Sequence, residues 1–174
     1  AVMDSIYFSA QTPGILGLNR GGRVTLSDLK GQQLVKDTFN LVPVFYASPQ
    51  AVITGTKAAT GVRKWGYWVK EGKYLGPYAN IAPPANMAYV EQDSKWGVVN
   101  LDNQPLLPLK FARIWCVKPQ DKPENWNFLA KEMGKDKKGK DIATYQLYNP
   151  DGKLRKKLTV SAAEAILKLS LIHI

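Results

Sequence analysis

The chain holds one cysteine, Cys116, and one histidine, His173, among 174 residues. A lone cysteine excludes an intramolecular disulfide, and together the two counts exclude a metal site built from cysteine and histidine. No apolar run approaches the roughly 18 residues that would cross a membrane, so no membrane partner is expected. The N-terminus lacks a basic stretch followed by an apolar core, so no signal peptide is visible and a cytoplasmic or virion-associated location is expected. Neither GxxxxGK[ST] nor a GxGxxG behind a strand occurs, which removes two phosphate-cradling motifs. No cofactor and no metal are expected.

What is present suits a globular protein. Hydrophobic residues make up 45% and charged residues 22%, which argues against wholesale disorder and for one domain over residues 1–168. The charge is lopsided, with 24 Lys and Arg against 14 Asp and Glu, a net +10. Such an excess favours a polyanionic partner but does not bear on the fold.

Residues 169–174 read Leu-Ser-Leu-Ile-His-Ile. One reading frame of CTGTCTCTTATACACATC encodes them, and that DNA looks like the mosaic end added in transposase-based library preparation. The segment therefore reads as a non-native tail on a gene of environmental, phage or bacterial source. A native apolar helix end is the alternative. With a foreign tail, the native segment holds no histidine and loses histidine acid–base chemistry.

Local patterns predict an α+β fold, a mainly antiparallel twisted sheet with two helices near the C-terminus. Thr12-Pro13-Gly14 and Asn19-Arg20-Gly21-Gly22 signal turns. Leu34–Tyr46 is rich in Val, Phe, Thr and Leu and predicts a strand, and Gln50–Thr56 a shorter one. Ala51–Gly61 ends small and polar, as a mobile loop does. Trp65–Tyr74 and Met87–Leu101 suggest hairpins, and Leu109–Val117 a further strand. Residues 121–168 read as helix, basic loop, hairpin and helix. Asp121 can cap the first of these helices, with Pro123 and Glu124 in its first turn. Trp126, Leu129 and Met133 fall on one helical face and Gly134 ends it. Ser161-Ala162-Ala163-Glu164 is a capping box for the final helix.

A weak internal repeat lies between these regions. Lys64-Trp65-Gly66 recurs as Lys95-Trp96-Gly97, 31 positions later, and Leu75 and Pro77 recur as Leu106 and Pro108. Each unit reads as strand, tight turn, strand. The tryptophan covers an apolar face, and the glycine leaves room for a neighbouring backbone or ring. On these residues, and on Val98-Val99-Asn100, Asp102 and Lys110-Phe111, residues 62–114 resemble the WG-repeat family of bacterial β-hairpin proteins. The resemblance implies paired Trp-Gly hairpins and a protein-interaction module. An ordinary hairpin pair with two buried core tryptophans, Trp65 and Trp96, explains the same residues.

The basic residues carry the functional expectation. Lys131–Lys157 holds nine Lys or Arg and four Asp or Glu, a local +5. A flexible, lysine-dense loop supplies Lys135, Lys137, Lys138 and Lys140. Lys153, Arg155, Lys156 and Lys157 follow across the next hairpin. Trp126, Tyr145 and Tyr148 are interleaved. Lysines neutralise phosphates while aromatic faces stack on unpaired bases. Lysine outnumbers arginine, so little sequence preference is expected. Arg20 and Arg23 flank Gly21-Gly22, a second loop that can meet a phosphate backbone. The expected function is non-enzymatic nucleic-acid binding. The alternatives are a WG-repeat-like module with a protein partner, and a phage structural or host-inhibitory protein. A solvated lysine-rich surface explains the same residues without any partner. Cys116 follows Trp115 in a strand and is expected buried and inert. The one catalytic exception is a metal-dependent nuclease using carboxylates such as Glu71, Glu91 and Asp93 beside Lys73 or Lys95.

Overall fold

Turn-forming residues cut the chain into short strands, and each strand pairs with its neighbour in sequence. The computed structural model describes residues 3–46, 51–69, 73–82, 87–117 and 127–171. Four meandering sheets follow one another along the chain. The first holds β1 (Ser5–Tyr7), β2 (Ile15–Arg20) and β3 (Arg23–Asp28). The second holds β4 (Val44–Tyr46), β5 (Ala51–Lys57), β6 (Arg63–Val69) and β7 (Lys73–Tyr78). The third holds β8 (Asn80–Ala82), β9 (Met87–Gln92), β10 (Lys95–Asn100) and β11 (Pro105–Phe111). The fourth holds β12 (Arg113–Val117), β13 (Asn127–Lys135), β14 (Asp141–Tyr148) and β15 (Leu154–Leu158). The helix α1 (Val160–Leu171) closes the described chain. Two compact units result: Ala1–Gln92 with Val99–Gln104, and Asp93–Val98 with Pro105–Ile174.

The expected α+β class is overturned. The fold is largely antiparallel β, with one helix rather than two among the described residues. Where the sequence predicts the first helix, β13 runs from Asn127 to Lys135 between β12 and β14. Asn127, Phe128, Leu129 and Ala130 are all buried. Four consecutive buried positions do not fit one face of a helix but fit a strand covered on both faces. Leu129 faces the cluster that α1 completes, and Phe128 pairs across the sheet with Tyr148. The spacing of Leu129 and Met133 imitates a helical stripe, yet Met133 is exposed. Asp121, Pro123, Glu124 and Trp126 lie outside the described residues. The final helix is present, but its cap is Thr159 rather than Ser161. The Thr159 hydroxyl accepts the Ala162 N–H at 3.3 Å, as an N-cap does at the third helical position.

Leu34–Tyr46 also departs from expectation. Only Val44–Tyr46 forms a strand. Val35 and Phe39 are buried, but the polar Lys36-Asp37-Thr38 between them interrupts pairing. The segment touches β3 through two isolated bridges, Val24↔Phe39 and Ser27↔Gln33. Ala51–Gly61 is not a mobile loop over its first half. Ala51–Gly55 is a buried stretch of β5. Its alternate side chains enter two clusters: Ala51 and Ile53 one, Val52 the other. The second sheet is thus covered on both faces, and its small residues admit large neighbours. Gly55 lies beneath the Trp65 ring, where an added Cβ would stand 2.7 Å from ring carbons.

One turn is used five times among the described residues. In the segments 28–32, 58–62, 100–104, 136–140 and 149–153, the first residue donates its N–H to the carbonyl of the fifth, and the fourth donates to the carbonyl of the first. The fourth residue has positive φ in each: Gly31, Gly61, Asn103, Gly139 and Gly152. Asp28, Asn100 and Asp136 also accept two backbone N–H groups through their own side chains. Aspartate or asparagine opens four of the five and Ala58 the other, so the shared requirement for this three-residue loop is glycine or asparagine in the left-handed position.

The Trp-Gly pairs occupy matching places in β6 and β10. Gly66 lies under Tyr74, whose hydroxyl would stand 1.6 Å from an added Cβ. Gly97 faces the Leu107 carbonyl, 2.9 Å from its own added Cβ. Both glycines therefore make room, one for a ring and one for backbone. Trp65 and Trp96 are half-buried rather than buried, and the tryptophan enclosed in this region is Trp68.

Candidate nucleic-acid interface

The fourth sheet presents the basic segment. Its strand order is β12-β13-β14-β15, which leaves β15 at an edge. β13 and β14 pair from Phe128↔Tyr148 to Lys135↔Asp141, and residues 136–140 join them. The Asp136 carboxylate accepts the Lys138 and Lys140 N–H groups at 2.8 and 3.0 Å, so the loop backbone is fixed rather than loose. The side chains of Lys137, Lys138 and Lys140 are exposed around it. β14 and β15 pair at Tyr145↔Leu158, Gln146↔Lys157, Leu147↔Lys156 and Tyr148↔Leu154. Arg155 is the extra residue of a bulge in that register, and it is exposed like Lys156 and Lys157.

The eight basic residues do not gather in one patch. They form two sets along β14. Strands rise about 3.3 Å per residue, so the 136–140 loop and the turn holding Lys153 stand roughly 25 Å apart at opposite ends of β14. Lys135 is paired with Asp141 at 2.7 Å and Lys153 with Asp151 at 3.3 Å. Both pairs are exposed, so they contribute little to stability and exchange readily for another anion. The Lys153 backbone N–H and its ammonium hold the Asp151 carboxyl below the usual carboxylate range. Among the described residues, Lys137, Lys138, Lys140, Arg155, Lys156 and Lys157 join no ion pair.

A groove of about 310 Å³ lies between the two sets. It forms where β15 leaves β14 and turns into α1, and its lining includes Thr144, Tyr145, Gln146, Lys157 and Thr159. Tyr145 is half-buried, backed by the cluster of Val117, Leu129 and Ala163. Thr144, Gln146 and Thr159 were not anticipated as site residues, and their polar groups serve the protein itself. Thr144 donates to the Glu132 carbonyl at 3.4 Å. Gln146 donates to the Glu132 carboxylate at 3.1 Å, and that carboxylate also takes Lys110 at 2.9 Å. Thr159 caps α1. Tyr145 and Lys157 also line the groove, but from alternate sides of the sheet: Lys157 stands across from Gln146, while Lys156, across from Leu147, is on the Tyr145 side.

Tyr148 does not join them. Tyr145 and Tyr148 are three apart on a strand and so point to opposite faces. Tyr148 is buried, packs edge-on against Phe111 at 5.7 Å and donates its hydroxyl to Gln146. Burial raises its phenol above the ordinary value, with nearby Lys110 opposing and Glu132 reinforcing. Such a ring has no face to offer a base. Trp126 lies outside the described residues. Arg20 and Arg23 belong to the other unit. They sit opposite each other at the β2–β3 tip, both exposed, around Gly21 and Gly22 with φ of 55° and 73°. Asp4 accepts the Gly21 N–H there.

Among the described residues, no three His, Cys, Asp or Glu side chains lie close enough together to hold a metal ion. Glu71 lies outside the described residues, while Glu91 is on β9, paired with Asn80, and Asp93 sits at the β9–β10 turn. No described helix is long and apolar enough to cross a membrane. Cys116 is half-buried on β12 rather than buried. A thiol reagent is expected to modify it more slowly in the native chain than after unfolding. Equal rates would mean an open thiol.

The fold and site together define a basic β-meander protein with a lysine-rich sheet edge. Compared with known protein families and curated proteins, the chain matches none.

Proposed function

We propose that the chain binds nucleic acid without strong sequence preference, through the loop lysines, the β15 edge and the groove between them. The observation that carries this reading is the order along β14: unpaired cations, then Tyr145 in a groove, then unpaired cations again. A phosphate backbone laid along β14 meets both sets, and one unpaired base reaches the Tyr145 ring. Lysine-rich contacts position a backbone and read little sequence.

The test is a mobility shift with single-stranded DNA, duplex DNA and RNA at two salt concentrations. Phosphate contacts from Lys135, Lys137, Lys138, Lys140, Arg155 and Lys156 each release roughly 0.7 to 0.9 of a counterion, for a log–log salt slope of about −4 to −5. Lys137→Gln with Lys138→Gln should weaken binding on every sequence alike and flatten the slope by about 1.4 to 1.8. No binding to any nucleic acid at low salt would end the proposal. A slope untouched by the double substitution would move the contacts to Arg20 and Arg23.

A second reading is a protein-interaction module of WG-repeat type. It is supported by the matching places of Gly66 and Gly97 and by the half-exposed Trp65 and Trp96 beside them. Loss of nucleic-acid binding with a captured protein partner sensitive to Trp96→Ala would favour it.

A further inference from the structure

Unit one holds a cavity of about 280 Å³ that the nucleic-acid reading does not use. Its lining includes Asp37, Thr38, Phe39, Thr56, Lys64 and Tyr74. The segment that carries Asp37 is the irregular arch across β3, and Lys64 comes from β6. Phe39 and Tyr74 pack together at 5.9 Å and form an apolar floor. Phe39 is buried and Tyr74 half-buried, whereas Asp37 and Lys64 are exposed at the rim.

The two rim charges are opposite in sign and share one cavity, yet no ion pair joins them, and neither is ion-paired elsewhere among the described residues. This selects the ligand by charge. A simple anion meets Lys64 but is repelled by Asp37. A simple cation meets Asp37 but is repelled by Lys64. A neutral ligand pairs neither charge and gains nothing from either. A molecule carrying both charges pairs with both groups.

We propose that this cavity binds a small zwitterion of the α-amino acid or betaine class, its ammonium at Asp37, its carboxylate at Lys64 and its apolar part on Phe39 and Tyr74. The Tyr74 hydroxyl lies within 3.4 Å of the Thr54 hydroxyl. Burial, opposed by that contact and reinforced by Asp37, raises its phenol above the ordinary value. The hydroxyl therefore keeps its proton near neutral pH and remains a donor at the cavity floor. The cavity is of the order of the smallest ligand pockets, which suits a single amino acid better than a peptide.

Titration calorimetry of the full chain with apolar free amino acids and glycine betaine tests this. N-acetyl and amide derivatives of the same amino acids serve as the single-charge probes. At least one zwitterion should bind saturably. Its N-acetyl and amide forms should bind about tenfold more weakly or worse, the effect of losing about 1.4 kcal/mol. Asp37→Asn and Lys64→Met should each weaken the zwitterion by a similar factor. Both side chains are exposed, so the variants should fold, and an unchanged melting curve checks that they do. No saturable binding of any zwitterion at millimolar concentration overturns the proposal. So does equal binding of a zwitterion and its N-acetyl or amide form, or indifference to both substitutions. Lys137→Gln with Lys138→Gln should leave this binding unchanged, so its failure and that of the nucleic-acid reading are separable.

Discussion

Trp68→Ala is expected to lower unfolding stability by about 3–5 kcal/mol, the usual range for emptying a core tryptophan site. Trp68 is 3% exposed and packs among Val24, Leu26, Val35, Phe39 and Val52. The indole spans the contact between β6 and the arch beyond β3, so its loss opens a void that several elements cannot close at once. Among the described residues its indole N–H has no hydrogen-bond partner, so no described polar interaction is lost with the ring. Trp65→Ala and Trp96→Ala should each cost clearly less, because both rings are half-buried. Chemical denaturation of the three variants checks the order. Equal losses would mean that the two Trp-Gly tryptophans are as enclosed as Trp68.

Gly152→Ala should be the most damaging of the turn substitutions, at about 3 kcal/mol or more. Two costs combine. Gly152 has φ of 82°, and an L-residue in that region carries about 1–2 kcal/mol of strain. Its added Cβ would also stand 2.2 Å from the Leu106 carbonyl oxygen. That obstacle is backbone, so no side-chain rotation relieves it. Gly139→Ala is the matched control. Its φ is 80°, but nothing among the described residues lies within 4 Å of the added Cβ. It should cost only the strain, about 1 kcal/mol. Thermal melts of both variants separate crowding from conformation. Equal shifts would mean that the contact to Leu106 relaxes freely.

The turns were the most legible part of the fold. Asn19-Arg20-Gly21-Gly22 and Asn149-Pro150-Asp151-Gly152 announce their hairpins because turn chemistry and positive φ are local properties, whereas 136–140, which reads as a flexible loop after a helix, is a fixed hairpin turn that the mistaken helix concealed. The room left by Gly66 and Gly97 was legible for the same reason. β13 was not. Leu129 and Met133 match a helical stripe by coincidence, and only burial on both faces, with α1 over Leu129 and β11 also packed against β13, makes Asn127–Ala130 a strand. Burial on two faces is a property of the assembled sheet, and a single segment does not carry it. Leu34–Tyr46 misled in the other direction, since strand-forming composition there serves buried plugs at Val35 and Phe39.

The candidate site divides in the same way. The lysines were visible as a charge excess, but a count has no register. That Lys135 meets Asp141 and Lys153 meets Asp151 follows from turn geometry, whereas the gap between the two basic sets follows from the length of β14. The separation of Tyr145 from Tyr148 was already implied by their odd spacing, once the segment was known to be a strand. The groove itself depends on where β15 parts from β14, a boundary that composition does not mark.

The recurring meander has a kinetic consequence. Within the described sheets every strand hydrogen-bonds to strands next to it in sequence, and no crossover connection is needed. Each pairing closes a short loop, so little chain entropy is lost before a contact forms. Relative contact order is therefore low for an all-β chain, and folding should be fast compared with a Greek-key sandwich of equal length. Hairpins of this kind close on the microsecond scale, about 1–10 μs each. Four of the repeated turns join paired strands of the second, third and fourth sheets and act as independent starting points, so a chain emerging from the ribosome can begin each of these sheets before the next has been synthesised.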